Sequence, residues 1–162
     1  SAERIHAVIQ RARQSCILVA EGAAPPSTLR SDSFVRPAIF ANIPEGHELI
    51  TKEIFGPVLA VERAPNFEAA IAMANASEYG LTGAVFSRSP KHIELAYAEF
   101  RVGNLYINRG STGALVMRQP FGGAGMSGVG SKAGGPDYLL QFVIPRVVTE
   151  NTMRRGFAPK EE

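Results

Sequence analysis

The chain has 162 residues, enough for one domain with a buried core, and its composition excludes several functional classes. Its 17 basic and 15 acidic residues leave a formal charge of +2, and the basic residues are scattered, so neither a nucleic acid nor a membrane surface is indicated as a partner. The single cysteine excludes an internal disulfide framework and fits a reducing compartment, so we expect a cytoplasmic protein.

Helix-period and strand-period segments alternate along the first half of the chain. Apolar residues recur at helical spacing from Ala2 to Ala12, and a short apolar strand is predicted at residues 17–20. Residues 23–33 are rich in proline and hydroxyl side chains and are predicted to form a surface loop. Further predicted elements are an edge strand over residues 34–39 that contains Pro37, a short helix within 45–53 and a buried strand at 58–61.

The same alternation continues in the second half. Asn66 is a predicted N-cap, and Ser89 followed by Pro90 is a second helix start. Strands are predicted at residues 81–86 and 102–108, a long glycine-rich loop at 109–136, a helix at 138–142 and a last strand at 142–149. The alternation predicts an α/β fold with three layers, in which helices flank a mostly parallel sheet.

Two features of the sequence imitate functional sites. Residues 123–128 match the dinucleotide-binding pattern GxGxxG, but the predicted strand before them ends at Asn108 instead of leading directly into the motif. Cys16 ends a predicted helix, where the dipole disfavours a thiolate, so we interpret it as structural. The three histidines lack metal-ligand spacing. We therefore predict no catalytic residue and no metal site in this chain.

Three motifs occur in order along the chain: residues 52–58 (KEIFGPV), 112–116 (TGALV) and 119–123 (QPFGG). With Asn108 and residues 132–136 (KAGGP), they make the chain resemble the aldehyde dehydrogenase superfamily, and within it the L-glutamate γ-semialdehyde (Δ1-pyrroline-5-carboxylate) dehydrogenases. In some bacteria that activity is fused behind a proline dehydrogenase domain. The resemblance implies oxidation of the semialdehyde to L-glutamate with NAD, the second step of proline catabolism.

The resemblance also implies roles for two residues in cofactor binding. Glu53 matches the glutamate that accepts hydrogen bonds from the nicotinamide ribose hydroxyls, a task that suits two carboxylate oxygens. Phe55 matches the aromatic residue beside the nicotinamide ring. The alternatives are a solvated loop charge for Glu53 and core packing for Phe55.

For the substrate, the resemblance implies three residues. Gly113 and Ala114 match the loop whose backbone N–H groups hold the substrate α-carboxylate, and small residues permit that close approach. Phe121 matches an aromatic residue that packs on the aliphatic part of the substrate. The alternative for all three is a tight surface loop. The chain departs from its relatives at Met117, where a glycine is common, and at Arg118, where a small or neutral residue is common.

By the same resemblance, residues 1–150 are expected to be the C-terminal part of a catalytic domain. Residues 142–149 would pair in a homo-oligomer, and 151–162 would be a disordered tail. The family's cysteine nucleophile, its glutamate base and its oxyanion-binding asparagine would all precede Ser1. We therefore expect no activity from the chain alone, which would need the missing N-terminal part as a partner. Two alternatives remain open: another aldehyde dehydrogenase subfamily, and a non-catalytic assembly module.

Overall fold

The computed structural model describes residues 1–24 and 33–152. These residues form an α/β fold, which confirms the predicted class. The elements in chain order are α1 (Ala2–Ser15), β1 (Ile17–Glu21), β2 (Ala38–Ala41), α2 (Glu48–Thr51), β3 (Val58–Val61), α3 (Phe67–Ala74), β4 (Tyr79–Gly80), β5 (Thr82–Val85), α4 (Pro90–Glu99), β6 (Asn104–Ile107), β7 (Ala124–Gly125) and a 3-10 helix (Tyr138–Phe142).

The first half of the chain packs one long helix on a three-stranded sheet. The strand order is β1-β2-β3, with β1 antiparallel and β3 parallel to β2. Ile5 and Val8 of α1 are buried together with Phe40 of β2, which has no exposed surface. The apolar stripe of α1 therefore covers one face of this sheet, as its helical spacing predicts.

The second half has its own core. β5 and β6 form a parallel pair, and Val85 is buried with Ile71 of α3 and Ala96 of α4. β4 and β7 are two-residue strands that pair antiparallel. The described strands thus belong to three small sheets instead of one continuous sheet, and two of their four pairings are parallel.

Side-chain caps begin three of the helices. Asn66 Oδ1 accepts a hydrogen bond from Ala69 N at 2.7 Å, and Ser89 Oγ accepts one from His92 N at 3.4 Å, so both predicted N-caps are confirmed. His47 caps α2 through Nδ1, which accepts from Leu49 N at 3.1 Å. The sequence did not predict this cap, because histidine is not among the residues that are usual at that position.

Two predicted strands differ in the structure. The strand expected at residues 34–39 begins only at Ala38, because Pro37 has no N–H to donate. The strand expected at 142–149 is not formed in the single chain, where residues 143–150 have no strand hydrogen bonds. A strand needs a partner, so pairing of this segment with another chain stays a prediction.

Other predictions fall partly or wholly outside the described ranges. Residues 25–32 of the expected loop and 153–162 of the expected tail are among these. Within the described ranges, no helix has the length and apolar character needed to cross a membrane.

Candidate functional site

The segment that carries Glu53 and Phe55 connects α2 to β3 and is fixed at several points. The side chain of Ile54 packs against the first core, and its carbonyl accepts a hydrogen bond from Arg4 Nη2 at 2.6 Å. The carbonyl of Pro57 accepts one from Ala38 N at 3.0 Å. These contacts fix the backbone on both sides of Phe55 and Gly56.

Phe55 is the most unusual residue of this segment. Its φ angle is +54°, in the left-handed region that non-glycine residues rarely adopt, and the residue is 79% exposed. Phe55 therefore does not pack into a core formed by the described residues of this chain. An exposed aromatic ring on strained backbone is typical of a binding site, since strain persists where a function requires it.

Gly56 explains how the segment lies so close to α1. A Cβ atom at this position would lie 2.7 Å from Ile5 Cδ1 and 3.0 Å from Ile5 Cγ2. Ile5 is buried and β-branched, so it cannot easily give way. A glycine is required here for the backbone to pass over the helix.

Glu53 is exposed and forms no hydrogen bond or ion pair with the described part of the chain. Its two carboxylate oxygens are therefore available to a ligand, and it lies two residues before the exposed ring of Phe55. A carboxylate beside a flat apolar face matches the two halves of a nicotinamide riboside, with hydroxyl groups on one part and a ring on the other. The residues present fit NAD at this point.

Gly113 and Ala114 lie in the loop that follows β6. Gly113 has φ +79°, and no atom lies within 4 Å of the position that a Cβ would take. The loop is fixed from within by the Gln119 amide, which in its satisfied orientation donates to Gly113 O at 3.0 Å and accepts from Arg109 Nη1 at 2.7 Å. Open backbone with an internal brace suits the binding of an anion by N–H groups.

Phe121 lies farther along the same loop and is half-buried. Its backbone pairs in both directions with Ala133: Phe121 N donates to Ala133 O at 3.0 Å, and Ala133 N donates to Phe121 O at 2.8 Å. Asn104 supports the loop from β6, since its Nδ2 donates to Pro120 O at 2.9 Å and its Oδ1 accepts from Gly122 N at 3.0 Å. Phe121 is thus carried by ordered backbone.

The three substrate candidates lie on one loop, and the two cofactor candidates lie on a different segment of the chain. Gly113, Ala114 and Phe121 share one loop, and Gln119 connects its two parts. Within the described ranges, no hydrogen bond joins this loop to Glu53 or Phe55. Neither group lines either of two described cavities of about 520 Å³ each.

Two side chains that support the loop by hydrogen bonds to its backbone were not predicted from the sequence. Asn104 lies inside a strand, where an asparagine carries no motif signal. Lys132 was noted as part of a family motif, but its contacts with the carbonyls of Gly122 and Gly123 were not predicted. One signal was available, because Lys132 is the only charged residue between positions 119 and 136.

The two features that imitate functional sites have different surroundings in the structure. The strand β7 lies within the GxGxxG match, and no helix follows residues 123–128 before Tyr138, so a dinucleotide-binding turn is absent from this segment of the described chain. Cys16 is half-buried and packs against the first core, where its Sγ lies 3.8 Å from His47 Nε2.

Comparison with known proteins identifies a family and individual relatives. The model of the aldehyde dehydrogenase family matches residues 1–148. A 1-pyrroline-5-carboxylate dehydrogenase of Geobacillus sp. (strain WCH70) is 52% identical over 117 residues, which are 72% of this chain and 23% of that protein.

Solved structures agree with this result. Proline utilization A from Bdellovibrio bacteriovorus has 52% identity and a TM-score of 0.86, over 99% of this chain and 16% of that protein. A 1-pyrroline-5-carboxylate dehydrogenase from Thermus with bound NAD has 43% identity and a TM-score of 0.77, over 88% of this chain and 28% of that one. The chain therefore spans less than a third of the length of each of these proteins.

Proposed function

The chain belongs to the aldehyde dehydrogenase family, and we propose that it forms part of an enzyme that oxidises L-glutamate γ-semialdehyde to L-glutamate with NAD. In this enzyme it supplies contacts to both the nicotinamide riboside and the substrate. The observation that carries the proposal is its similarity, over most of its length, to proteins named 1-pyrroline-5-carboxylate dehydrogenase.

On the cofactor side, Glu53 accepts hydrogen bonds from the ribose hydroxyls and Phe55 packs beside the nicotinamide ring. Support comes from the 79% exposure and left-handed backbone of Phe55, and from a Glu53 carboxylate without an intramolecular partner among the described residues. When bound, NAD supplies the acceptor for the hydride that the aldehyde carbon loses.

On the substrate side, the backbone N–H groups of Gly113 and Ala114 hold the α-carboxylate, and Phe121 packs on the methylene groups. The positive φ of Gly113 supports the first assignment, because left-handed backbone turns successive N–H groups toward one point. The braced backbone of Phe121 supports the second, since a fixed aromatic ring selects among aliphatic chains by shape.

The nucleophile of the reaction lies outside these 162 residues in this proposal. Cys16 follows α1, packs against the first core and belongs to neither group of candidates. Attack on the aldehyde, hydride loss and hydrolysis of the acyl enzyme therefore need groups from the rest of the protein. The chain by itself is expected to be inactive and to bind NAD weakly.

We also infer the pathway, the compartment and the assembly of the enzyme. The enzyme works in proline catabolism in the cytoplasm and forms a homo-oligomer in which residues 142–149 pair with a second copy. Ile144 and Val147 support the pairing, because they are 93% and 90% exposed, and two such apolar residues are costly to leave in water.

The test is the formation of NADH by the complete enzyme that contains this sequence. The expected substrate is Δ1-pyrroline-5-carboxylate, with propanal and succinate semialdehyde as comparisons, and the 162-residue chain serves as the inactive control. A clear preference for another aldehyde would assign the enzyme to a different subfamily. If none of these aldehydes is oxidised with NAD, the remaining interpretation is that the chain belongs to a non-catalytic assembly module.

A further inference from the structure

We propose that Lys132 is a positioning residue of the substrate site, which fixes the backbone of Phe121 and, through its neighbours, the Gly113–Ala114 loop. The inference rests on the function proposed above, because it assigns Lys132 to the substrate contacts named there. Lys132 itself need not contact the substrate.

The ammonium group of Lys132 binds two backbone carbonyls of the loop. Lys132 Nζ donates to Gly122 O at 2.7 Å and to Gly123 O at 2.9 Å, and the residue is half-buried. The segment between positions 119 and 136 contains no other charged residue. Two carbonyls that regular structure leaves unpaired are thus satisfied by one cation, which is a strong type of hydrogen bond.

The side chain of Lys132 and the backbone of the next residue contact the same stretch of the loop. Ala133, the next residue, pairs with the backbone of Phe121 in both directions. Because Lys132 Nζ holds the two carbonyls that follow Phe121, the side chain and the backbone pairing fix three consecutive residues. We call these contacts of Lys132 and Ala133 the clamp. Loss of the ammonium group would leave only the backbone pairing of Ala133 with Phe121.

The residues that follow Lys132 also contact the part of the loop close to Gly113 and Ala114. Gly134 O accepts a hydrogen bond from Met117 N at 2.8 Å, and Gly135 N closes a turn onto Lys132 O at 3.0 Å. Residues 132–135 therefore contact the Phe121 backbone and also the loop that carries Gly113 and Ala114. A shift of this segment displaces both substrate contacts together.

The experiment compares Lys132→Met and Lys132→Arg in the complete enzyme. For Lys132→Met we expect KM for the semialdehyde to rise about tenfold, which corresponds to about 1.4 kcal/mol of weakened substrate binding. We expect kcat and KM for NAD to change little, because the described hydrogen bonds of Lys132 are made to the substrate loop and not to the Glu53–Pro57 segment. Lys132→Arg should restore most of the affinity, since a guanidinium also donates to two carbonyls.

The matched control is Lys91→Met, which removes the same charge from an exposed position on α4, where Lys91 Nζ lies 3.4 Å from Glu68 Oε1. It should leave every kinetic constant unchanged. A fall in kcat at unchanged KM for Lys132→Met, or equal defects in Lys132→Met and Lys132→Arg, would overturn the positioning role.

Hydrogen exchange separates this inference from the proposed function. The backbone amides of Phe121, Ala133 and Met117 are hydrogen-bonded, and we expect faster exchange at all three in Lys132→Met than in Lys91→Met. If the complete enzyme does not oxidise the semialdehyde, the proposed function fails while exchange still reports on the clamp. Unchanged exchange at these amides would refute the clamp whatever the activity.

Discussion

Arg11 of α1 and Glu48 of α2 form a bidentate ion pair, with Nε to Oε1 at 2.7 Å and Nη2 to Oε2 at 3.0 Å. Hydrogen bonds from Arg11 lower the pKa of Glu48 below its ordinary value of 4.5. The pair joins α1 to the short helix that leads into the Glu53–Pro57 segment. It is therefore a link between the first core and the candidate cofactor site.

A folded-state pKa below the unfolded value means that the ion pair stabilises the protein above the unfolded pKa. This contribution is lost as the pH falls through the folded pKa of Glu48. Glu48→Gln should lower the free energy of unfolding slightly at neutral pH, since Arg11 is 54% exposed and water screens the pair. Urea titrations across the acid range should show the difference from wild type disappearing at low pH. A difference of the same size at every pH would contradict this account.

Gly56→Ala should destabilise the chain by about 1–3 kcal/mol, the usual cost of forcing a methyl group into a packed core. The new Cβ would lie 2.7 Å from the buried side chain of Ile5. Gly110→Ala is the matched control, because no atom lies within 4 Å of its Cβ position. Urea denaturation of both variants measures the difference, and equal stability would mean that the Gly56 contact is absent in solution.

Phe55→Ala distinguishes a role of Phe55 in cofactor binding from a role in core packing. The residue is 79% exposed, so the free energy of unfolding should change by less than about 0.5 kcal/mol. In the complete enzyme, KM for NAD should rise about tenfold as an aromatic contact with the cofactor is lost. A stability loss of several kcal/mol would restore the core-packing interpretation, while an unchanged KM for NAD would remove Phe55 from the cofactor site.

Met117→Gly should stabilise the protein. Met117 has φ +62°, and left-handed backbone costs a residue with a Cβ about 1–2 kcal/mol. Part of that gain is offset by the greater freedom of glycine in the unfolded chain, so we expect a net gain of up to about 1 kcal/mol. Thermal unfolding of the variant measures it. A lower melting temperature would show that the Met117 side chain contributes more than its backbone strain costs.

The successful predictions concern features that are determined by residues close together in the sequence. The stripe from Ile5 to Ala12 and the caps at Asn66 and Ser89 depend on nearby residues, and the structure confirms all three. Met117 has left-handed backbone, which fits the expectation that a glycine is common at this position. That conformation could not be deduced from the side chain alone.

The features that the sequence did not predict depend on contacts between segments that are distant in the chain. The requirement for Gly56 comes from Ile5, about fifty positions earlier, and the clamp of Lys132 depends on the path of the backbone after Phe121. The division of the strands into three small sheets is likewise a property of their tertiary pairing. Spacing along a sequence carries no information on such contacts.

The most direct test of the account is the substrate preference of Ala114→Asp in the complete enzyme. A carboxylate in the loop repels the α-carboxylate of the semialdehyde but not an uncharged aldehyde. The ratio of kcat/KM for L-glutamate γ-semialdehyde to kcat/KM for propanal should fall at least about tenfold, which corresponds to about 1.4 kcal/mol. If both substrates are affected equally, or neither is, the Gly113–Ala114 loop does not bind the substrate carboxylate and the proposed substrate site is wrong.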